Sequence, residues 1–241
     1  EKGEQYKIEL LYNTSISRSD TATNQHLVSV SNILFVGDGN KIYKSTDNGA
    51  NWTELTPDSG NAGRTVRDLA VYGGDLYVAM SDNTDGTIRK YDVSADSWSD
   101  WNTVSKNYTN VFAVKDFIFG VDGDNGNLLN VTAGSGTPSI VKDLPDNTTW
   151  VGMTDAGAVI LAAASNGYIY SIKDDSGLTI KGQTFFEGEE LTDVIESNGI
   201  VFVGAKQKNK QTNGYIGRLY MAQVIASDNL YIVSNKQVMK E

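Results

Sequence analysis

Ile33-Leu34-Phe35-Val36-Gly37 reads as a short apolar strand, and the reading returns four more times along the chain. The later copies are Leu76-Tyr77-Val78-Ala79, Phe117-Ile118-Phe119-Gly120, Val159-Ile160-Leu161-Ala162 and Ile200-Val201-Phe202-Val203-Gly204. Aligned on Phe35, Tyr77, Phe119, Ile160 and Phe202, the copies lie 42, 42, 41 and 42 residues apart. Such a period marks a repeat architecture. Each copy is followed by a turn carrying Gly39, Gly86, Gly126, Gly167 or Gly214, with Asn or Asp before the glycine. Asn-Gly and Asp-Gly suit tight hairpins because they tolerate positive φ. A third strand then aligns Ile42, Ile88, Leu128, Ile169 and Ile216, and another apolar run precedes each copy, at 27–30, 69–72, 111–114, 151–153 and 194–195.

Each repeat is therefore a meander of four strands. A single such unit cannot bury both faces, so neighbours must stack radially, as the blades of a β-propeller do. No stretch shows the 3.6-residue apolar period of a helix packing on a sheet. The fold expected is all-β: a β-propeller of four-stranded antiparallel blades at 25–62, 63–106, 107–147, 148–188 and 189–241. Five blades are favoured and six are the alternative. Residues 1–24 form a leader, in which Tyr6-Lys7-Ile8-Glu9-Leu10-Leu11-Tyr12 alternates as a strand should. That segment reads either as an outer strand stapling a five-bladed ring or as the remnant of a sixth blade.

Composition narrows the chemistry. The 241 residues carry 20 Lys+Arg against 30 Asp+Glu, a net charge of −10. That argues against nucleic acid and against a polybasic membrane patch, both of which call for positive charge. No apolar run approaches the roughly 18 residues of a spanning helix. Cys is absent and His26 is the one histidine, so thiolate sites, disulfides, His-based triads and multi-His metal centres are all disfavoured. The opening Glu1-Lys2-Gly3-Glu4-Gln5 is the sort of leader that follows a cleavage site or an anchor, and an arbitrary boundary is the other reading. Membrane attachment is expected only through such a lost anchor.

The hairpin Ser45-Thr46-Asp47-Asn48-Gly49-Ala50-Asn51-Trp52 resembles the Asp-box, S-x-D-x-G-x-x-W, of the BNR-repeat β-propellers, matching at Ser45, Asp47, Gly49 and Trp52. In such a turn the Asp accepts backbone N–H groups, the Gly takes a left-handed conformation and the Trp seals the blade edge. The resemblance implies a folding motif away from any active site. A worn copy stands at Ser94-Ala95-Asp96-Ser97-Trp98, and only Asp174-Asp175-Ser176-Gly177 survives in the fourth repeat.

Sialidases of that superfamily resemble one another in an arginine triad, a Tyr/Glu nucleophile pair, an acid and an R-I-P segment. This chain holds five arginines (Arg18, Arg64, Arg67, Arg89 and Arg218) and lacks R-I-P, and Arg89 and Arg218 fall on third strands far from the axis. The reading is therefore a non-catalytic extracytoplasmic propeller that binds a protein or glycan through one loop face. The Asn/Thr/Gly-rich strands resemble secreted or envelope-attached proteins and virion appendages. A two-carboxylate glycosidase and a structural module of an envelope or virion assembly are the alternatives.

Other motifs are weaker. Gly37-Asp38-Gly39 and Gly120-Val121-Asp122-Gly123 lie between strands, with no helix N-terminus to hold a phosphate. Asp122-Gly123-Asp124-Asn125-Gly126 resembles the start of a Ca²⁺ loop, but Ala133 stands where an EF-hand needs Glu. An ordinary hairpin is the favoured reading and a short Ca²⁺ turn the alternative, so no cofactor and no metal ligand is assigned. The five N-x-S/T sequons, at Asn13, Asn51, Asn107, Asn130 and Asn147, read as composition.

Two sites are expected. The fourth-to-first and second-to-third connections share one face, opposite the Asp-box turn, and there Arg64, Tyr108, Trp150, Phe186, Lys206, Lys208 and Lys210 offer aromatic and cationic groups to a partner. Nine residues before each anchor stand His26, Asp68, Asn110, Val151 and Asp193, with an apolar or Gly position next. Ring closure would bring the polar set His26, Asp68, Asn110 and Asp193 to one mouth of the axial channel, to bind water, a cation or hydroxyl groups.

Overall fold

The computed structural model describes residues 26–58, 60, 63–145, 147–175, 177–208, 214–225 and 229–238. All regular structure among them is strand. Blade 1 is β1 (His26–Val30), β2 (Ile33–Asp38), β3 (Lys41–Ser45) and β4 (Thr53–Leu55). Blade 2 is β5 (Thr65–Tyr72), β6 (Asp75–Ser81), β7 (Gly86–Asp92) and β8 (Ser97–Asn102). Blade 3 is β9 (Tyr108–Val114), β10 (Phe117–Asp122), β11 (Asn127–Asn130) and β12 (Ser139–Lys142). Blade 4 is β13 (Trp150–Asp155), β14 (Val159–Ala164), β15 (Tyr168–Lys173) and β16 (Ile180–Phe185), and blade 5 is β17 (Glu190–Ser197), β18 (Ile200–Lys208), β19 (Tyr215–Ile225) and β20 (Asn229–Val238). Each sheet is an antiparallel meander in chain order. The first strands of successive blades lie side by side around the axis, β1 by β5, β5 by β9, β9 by β13 and β13 by β17. Among the described residues the arrangement is a β-propeller of five four-stranded blades. The strand expected at 6–12 lies outside the described residues.

The core is a set of apolar layers between blades. Phe35 and Ile42 of blade 1 meet Leu69, Leu76 and Val78 of blade 2, and Tyr77 and Ile88 meet Val111 and Ile118 of blade 3. Phe119 and Leu128 meet Ile160 and Ala162 of blade 4, and Leu161 and Ile169 meet Val194, Val201 and Val203 of blade 5. Burying one such side chain stabilises the ring by about 1.5–3 kcal/mol.

Strand pairing corrects the alignment at two points. Phe35, Tyr77, Phe119 and Phe202 pair with Val28, Ala70, Phe112 and Ile195, and the first three pack against the following blade. The residue of blade 4 in that role is Leu161, paired with Thr154, not Ile160. A slip of one residue exchanges the two faces, and β14 is buried on both, so its alternation carried no signal. On the third strands Ile42, Ile88, Leu128 and Ile169 pair with Gly37, Ala79, Val121 and Ala163. The equivalent in blade 5 is Leu219, paired with Gly204, and not Ile216, because the β18–β19 hairpin is longer.

The turn after β3 is closed from within. Gly49 N donates to Ser45 Oγ at 2.8 Å, Asn51 N to Asp47 Oδ1 at 2.8 Å, and Trp52 Nε1 to Gly49 O at 3.0 Å. Gly49 takes φ 92°, the left-handed conformation in which its missing Cβ costs nothing. The Asn51 amide hydrogen bond holds the Asp47 carboxyl below its ordinary range.

Candidate functional site

The loops joining second to third strands, and fourth to the next first strand, share one end of the propeller, and hydrogen bonds pin them together. Val66 N donates to Gly39 O at 2.7 Å, Gly123 N to Asn107 O at 2.8 Å and Ser165 N to Thr149 O at 2.8 Å. Gly123 is required by close approach, since a Cβ there would lie 2.4 Å from Thr109 Cγ2. These contacts tie the loops to one another, and loops held in place have less freedom to lose when a partner binds.

Between blades 3 and 4 this end holds a cavity of about 580 Å³, lined among others by Thr109, Asp124, Asn125, Asn147, Thr148 and Thr149. Its walls come from the β10–β11 turn and the β12–β13 connection, joined by Trp150 Nε1 donating to Gly126 O at 3.0 Å. Asp122 lies buried behind it, accepting from Asp124 N at 3.2 Å and paired with Lys106 Nζ at 3.0 Å. Asn107 Nδ2 donates to Asp124 Oδ1 at 2.9 Å. An ammonium thus already neutralises the innermost carboxylate of the loop that resembles a Ca²⁺ turn. Among the described residues no group of three or more His, Asp or Glu is placed to hold a metal. The lining offers hydroxyls, amides and one carboxylate, a set suited to hydrogen-bonding an extended polar ligand.

The expected loop-face residues divide. Tyr108, Trp150 and Phe186 are interior side chains, a correction to their reading as partner contacts. Tyr108 OH donates to Asn102 Oδ1 at 3.0 Å, and burial pushes the hydroxyl well above the ordinary tyrosine range. Trp150 stacks obliquely on Tyr170 at 5.4 Å and Phe186 meets Tyr220 edge-on at 5.1 Å. A large aromatic where one blade joins the next fills the wedge between diverging sheets, so packing claims it. Arg64 is paired with Asp58 at 3.1 Å and with Asp85. Lys206 pairs with Glu190 at 2.8 Å and lies 5.1 Å from the Tyr215 ring centroid, while Lys208 is exposed at the end of β18. Lys210 lies outside the described residues.

Of the axial set, three residues meet. His26 Nδ1 stands 2.9 Å from Asp68 Oδ1, and Asp68 Oδ2 accepts from Val111 N at 3.2 Å and Asn110 Nδ2 at 3.4 Å. Asp68 therefore ties the inner strands of blades 1, 2 and 3. Its hydrogen bond raises the pKa of His26. The equivalent position of blade 4 is Gly152, not Val151, since Gly152 pairs with Ala163 as Asp68 pairs with Ala79. Asp193 packs there: a Cβ on Gly152 would lie 2.4 Å from Asp193 Oδ1. Burial raises the Asp193 carboxyl. Below this mouth the axis is lined mostly by Val28, Ala70, Val71, Phe112, Ala113 and Met153.

Of the cavity residues Thr109, Asp124, Asn125, Asn147, Thr148 and Thr149, the sequence reading takes Asp124 and Asn125 as part of a hairpin or, alternatively, a short Ca²⁺ turn, takes Asn147 as a sequon asparagine, and does not join the six into one site. Their one signal is that two polar turns more than twenty residues apart fall on the same end of adjacent blades. The four described arginines are dispersed, with Arg67 on Ser81 and Asn83, Arg89 on Asp100 and Arg218 on Glu189.

No protein-family model and no curated protein matches the chain in sequence. Solved structures do match. BamB from Moraxella catarrhalis is 14 % identical at a TM-score of 0.56, over 82 % of this chain and 57 % of that one. The chain thus spans little more than half of BamB. Hydrazine synthase from Kuenenia stuttgartiensis is 12 % identical at a TM-score of 0.64, over 91 % and 69 %, and YCF48 bound to D1 peptide is 11 % identical at 0.55, over 89 % and 80 %. Likeness at such identity concerns the fold. The fold is that of the β-propellers.

Proposed function

We propose that this propeller is a non-catalytic binding module, working outside the cytoplasm, that receives a protein segment in the cavity between blades 3 and 4. The observation that carries the reading is the cavity itself. It is polar and built from both kinds of loop on one end, where a propeller can vary its loops without disturbing its core. YCF48, a propeller of similar fold, has been solved with a bound peptide, which gives the reading a precedent in the fold. Hydrazine synthase shares the fold at 12 % identity, and that likeness carries no activity across. With Asp124 in the wall and a net charge of −10, the segment received is rich in donors and positively charged. The Ser45–Trp52 hydrogen bonds further support a place among the Asp-box propellers.

A photo-crosslinking side chain placed at Asn147, with a control at Asp96 in the β7–β8 hairpin of the opposite end, tests the reading. Capture of one defined protein from Asn147 and not from Asp96 supports it. Equal capture from both ends overturns it.

A further inference from the structure

Beside the cavity between blades 3 and 4, the same end of the propeller holds a second one of about 550 Å³, lined by Asp124, Asn125, Asn127, Asp143, Leu144 and Pro145. The two cavities share Asp124, Asn125 and Pro145 as a common rim. Asn127 and Asp143 each lie one residue beyond the Leu128–Lys142 pair, so the end of the β11–β12 ladder brings them together. The groups gathered here mostly accept. Asp124 Oδ1 meets one amide, Asn107 Nδ2, at 2.9 Å, and Asp143 is exposed. Asn127 is 9 % exposed, and its Oδ1 has no hydrogen-bond partner. A buried acceptor left unpaired is costly, and this one belongs to a side chain that lines a cavity. The neighbouring cations are engaged elsewhere, Lys106 with Asp122 at 3.0 Å and Lys142 over the Tyr170 ring at 5.6 Å.

We propose that this second cavity is the pocket that takes an arginine side chain of the segment received between blades 3 and 4. The inference rests on that reading and specifies the residue recognised. A guanidinium spreads five N–H donors in a planar fork. That is enough to serve the Asp124 and Asp143 carboxylates and the Asn127 oxygen together. A lysine ammonium is compact and strongly hydrated, so it gains less by leaving water for a mostly buried amide. The aliphatic stem of the arginine finds Leu144 and Pro145, the apolar part of the lining. The shared rim lets the backbone of the segment stay among the hydroxyls and amides of the first cavity while the side chain turns into the second.

End-labelled hexaarginine, hexalysine and hexacitrulline, titrated at fixed salt against the full chain and its variants, test the pocket. The variants are Asp143→Asn, Asn127→Ala and, as control, Asp116→Asn, an exposed acid of the β9–β10 turn at the opposite end. Asp143→Asn and Asp116→Asn change the net charge equally, so a difference between them is local. The parent is expected to bind hexaarginine about fivefold or more tighter than hexalysine, and hexacitrulline weakest. Asn127→Ala should lose the preference for arginine, and Asp143→Asn should lose about fivefold in affinity for hexaarginine that Asp116→Asn keeps. Should Asn127→Ala fail to fold, Asp143→Asn decides, since that side chain is exposed. Hexaarginine and hexalysine bound alike, with equal loss from Asp143→Asn and Asp116→Asn, overturns the arginine pocket and leaves the cavity reading standing. If neither peptide binds the parent, both fall. A rise in Tm with Ca²⁺ alone that Asp143→Asn abolishes makes the occupant a metal ion, and overturns the proposal too.

Discussion

His26 and Asp68 join blades 1 and 2 through a 2.9 Å contact between Nδ1 and Oδ1, and the same carboxylate holds the backbone of blade 3 at Val111. One carboxylate at the axis thus serves three sheets.

A pH dependence follows. The folded-state pKa of His26 is raised, first by its hydrogen bond to Asp68. The protonated imidazole therefore adds stability in full below the unfolded value of about 6.5, and that stability is lost as pH rises through the higher folded value. Urea unfolding is expected to show a midpoint that falls across this window, and His26→Gln is expected to flatten the fall.

Asp68→Ala should cost more than the ion pair alone. It strips acceptors from Val111 N and Leu69 N as well as from Asn110, and buried donors left unpaired cost about 1–3 kcal/mol. Chemical denaturation checks the figure, and a loss under 0.5 kcal/mol would mean that water replaces the carboxylate at no cost.

Trp150→Ala is expected to destabilise the ring by about 3–5 kcal/mol, the cost of emptying a buried Trp site, whereas Lys208→Ala should stay within about 0.5 kcal/mol. Trp150 is 1 % exposed. Thermal unfolding of the two variants side by side separates packing from presentation.

Gly152→Ala should be destabilising by about 1–3 kcal/mol, since its Cβ would lie 2.4 Å from Asp193 Oδ1 and 2.8 Å from Val194 N. Gly157, where nothing lies within 4 Å, is the less suitable control because its φ of 78° strains any side chain. Gly60 has only Asp58 Oδ1 nearby, at 3.8 Å, and no such φ, so Gly60→Ala should be nearly neutral.

The period of the blades was legible because the same in-and-out pattern returns with the same turn chemistry, as at Phe35–Gly39 and Phe119–Gly126. It failed where the pattern vanished: Val159–Ala164 is apolar on both faces, so nothing distinguished Ile160 from Leu161. The axial polar register was legible at His26, Asp68 and Asn110 and misplaced in blade 4 by the same slip. The cavity was not legible. Thr109 is the extra residue of a bulge, and Asn125 and Asn147 look like any other turn residues until two loops are folded against one another. Trp150 and Tyr108 misled for the opposite reason, because aromatic side chains near loops serve both recognition and wedge-filling.

Binding at the blade 3–4 cavity is tested most directly by an array of synthetic peptides graded in Lys and Arg content, probed with the parent chain, with Asp124→Lys and with Ser94→Lys at the opposite end. Basic peptides are expected to bind the parent, with binding weakened about tenfold or more (about 1.4 kcal/mol) by Asp124→Lys and Ser94→Lys losing no more than the change in net charge explains. Equal loss from both variants, or no preference for basic peptides, would contradict it.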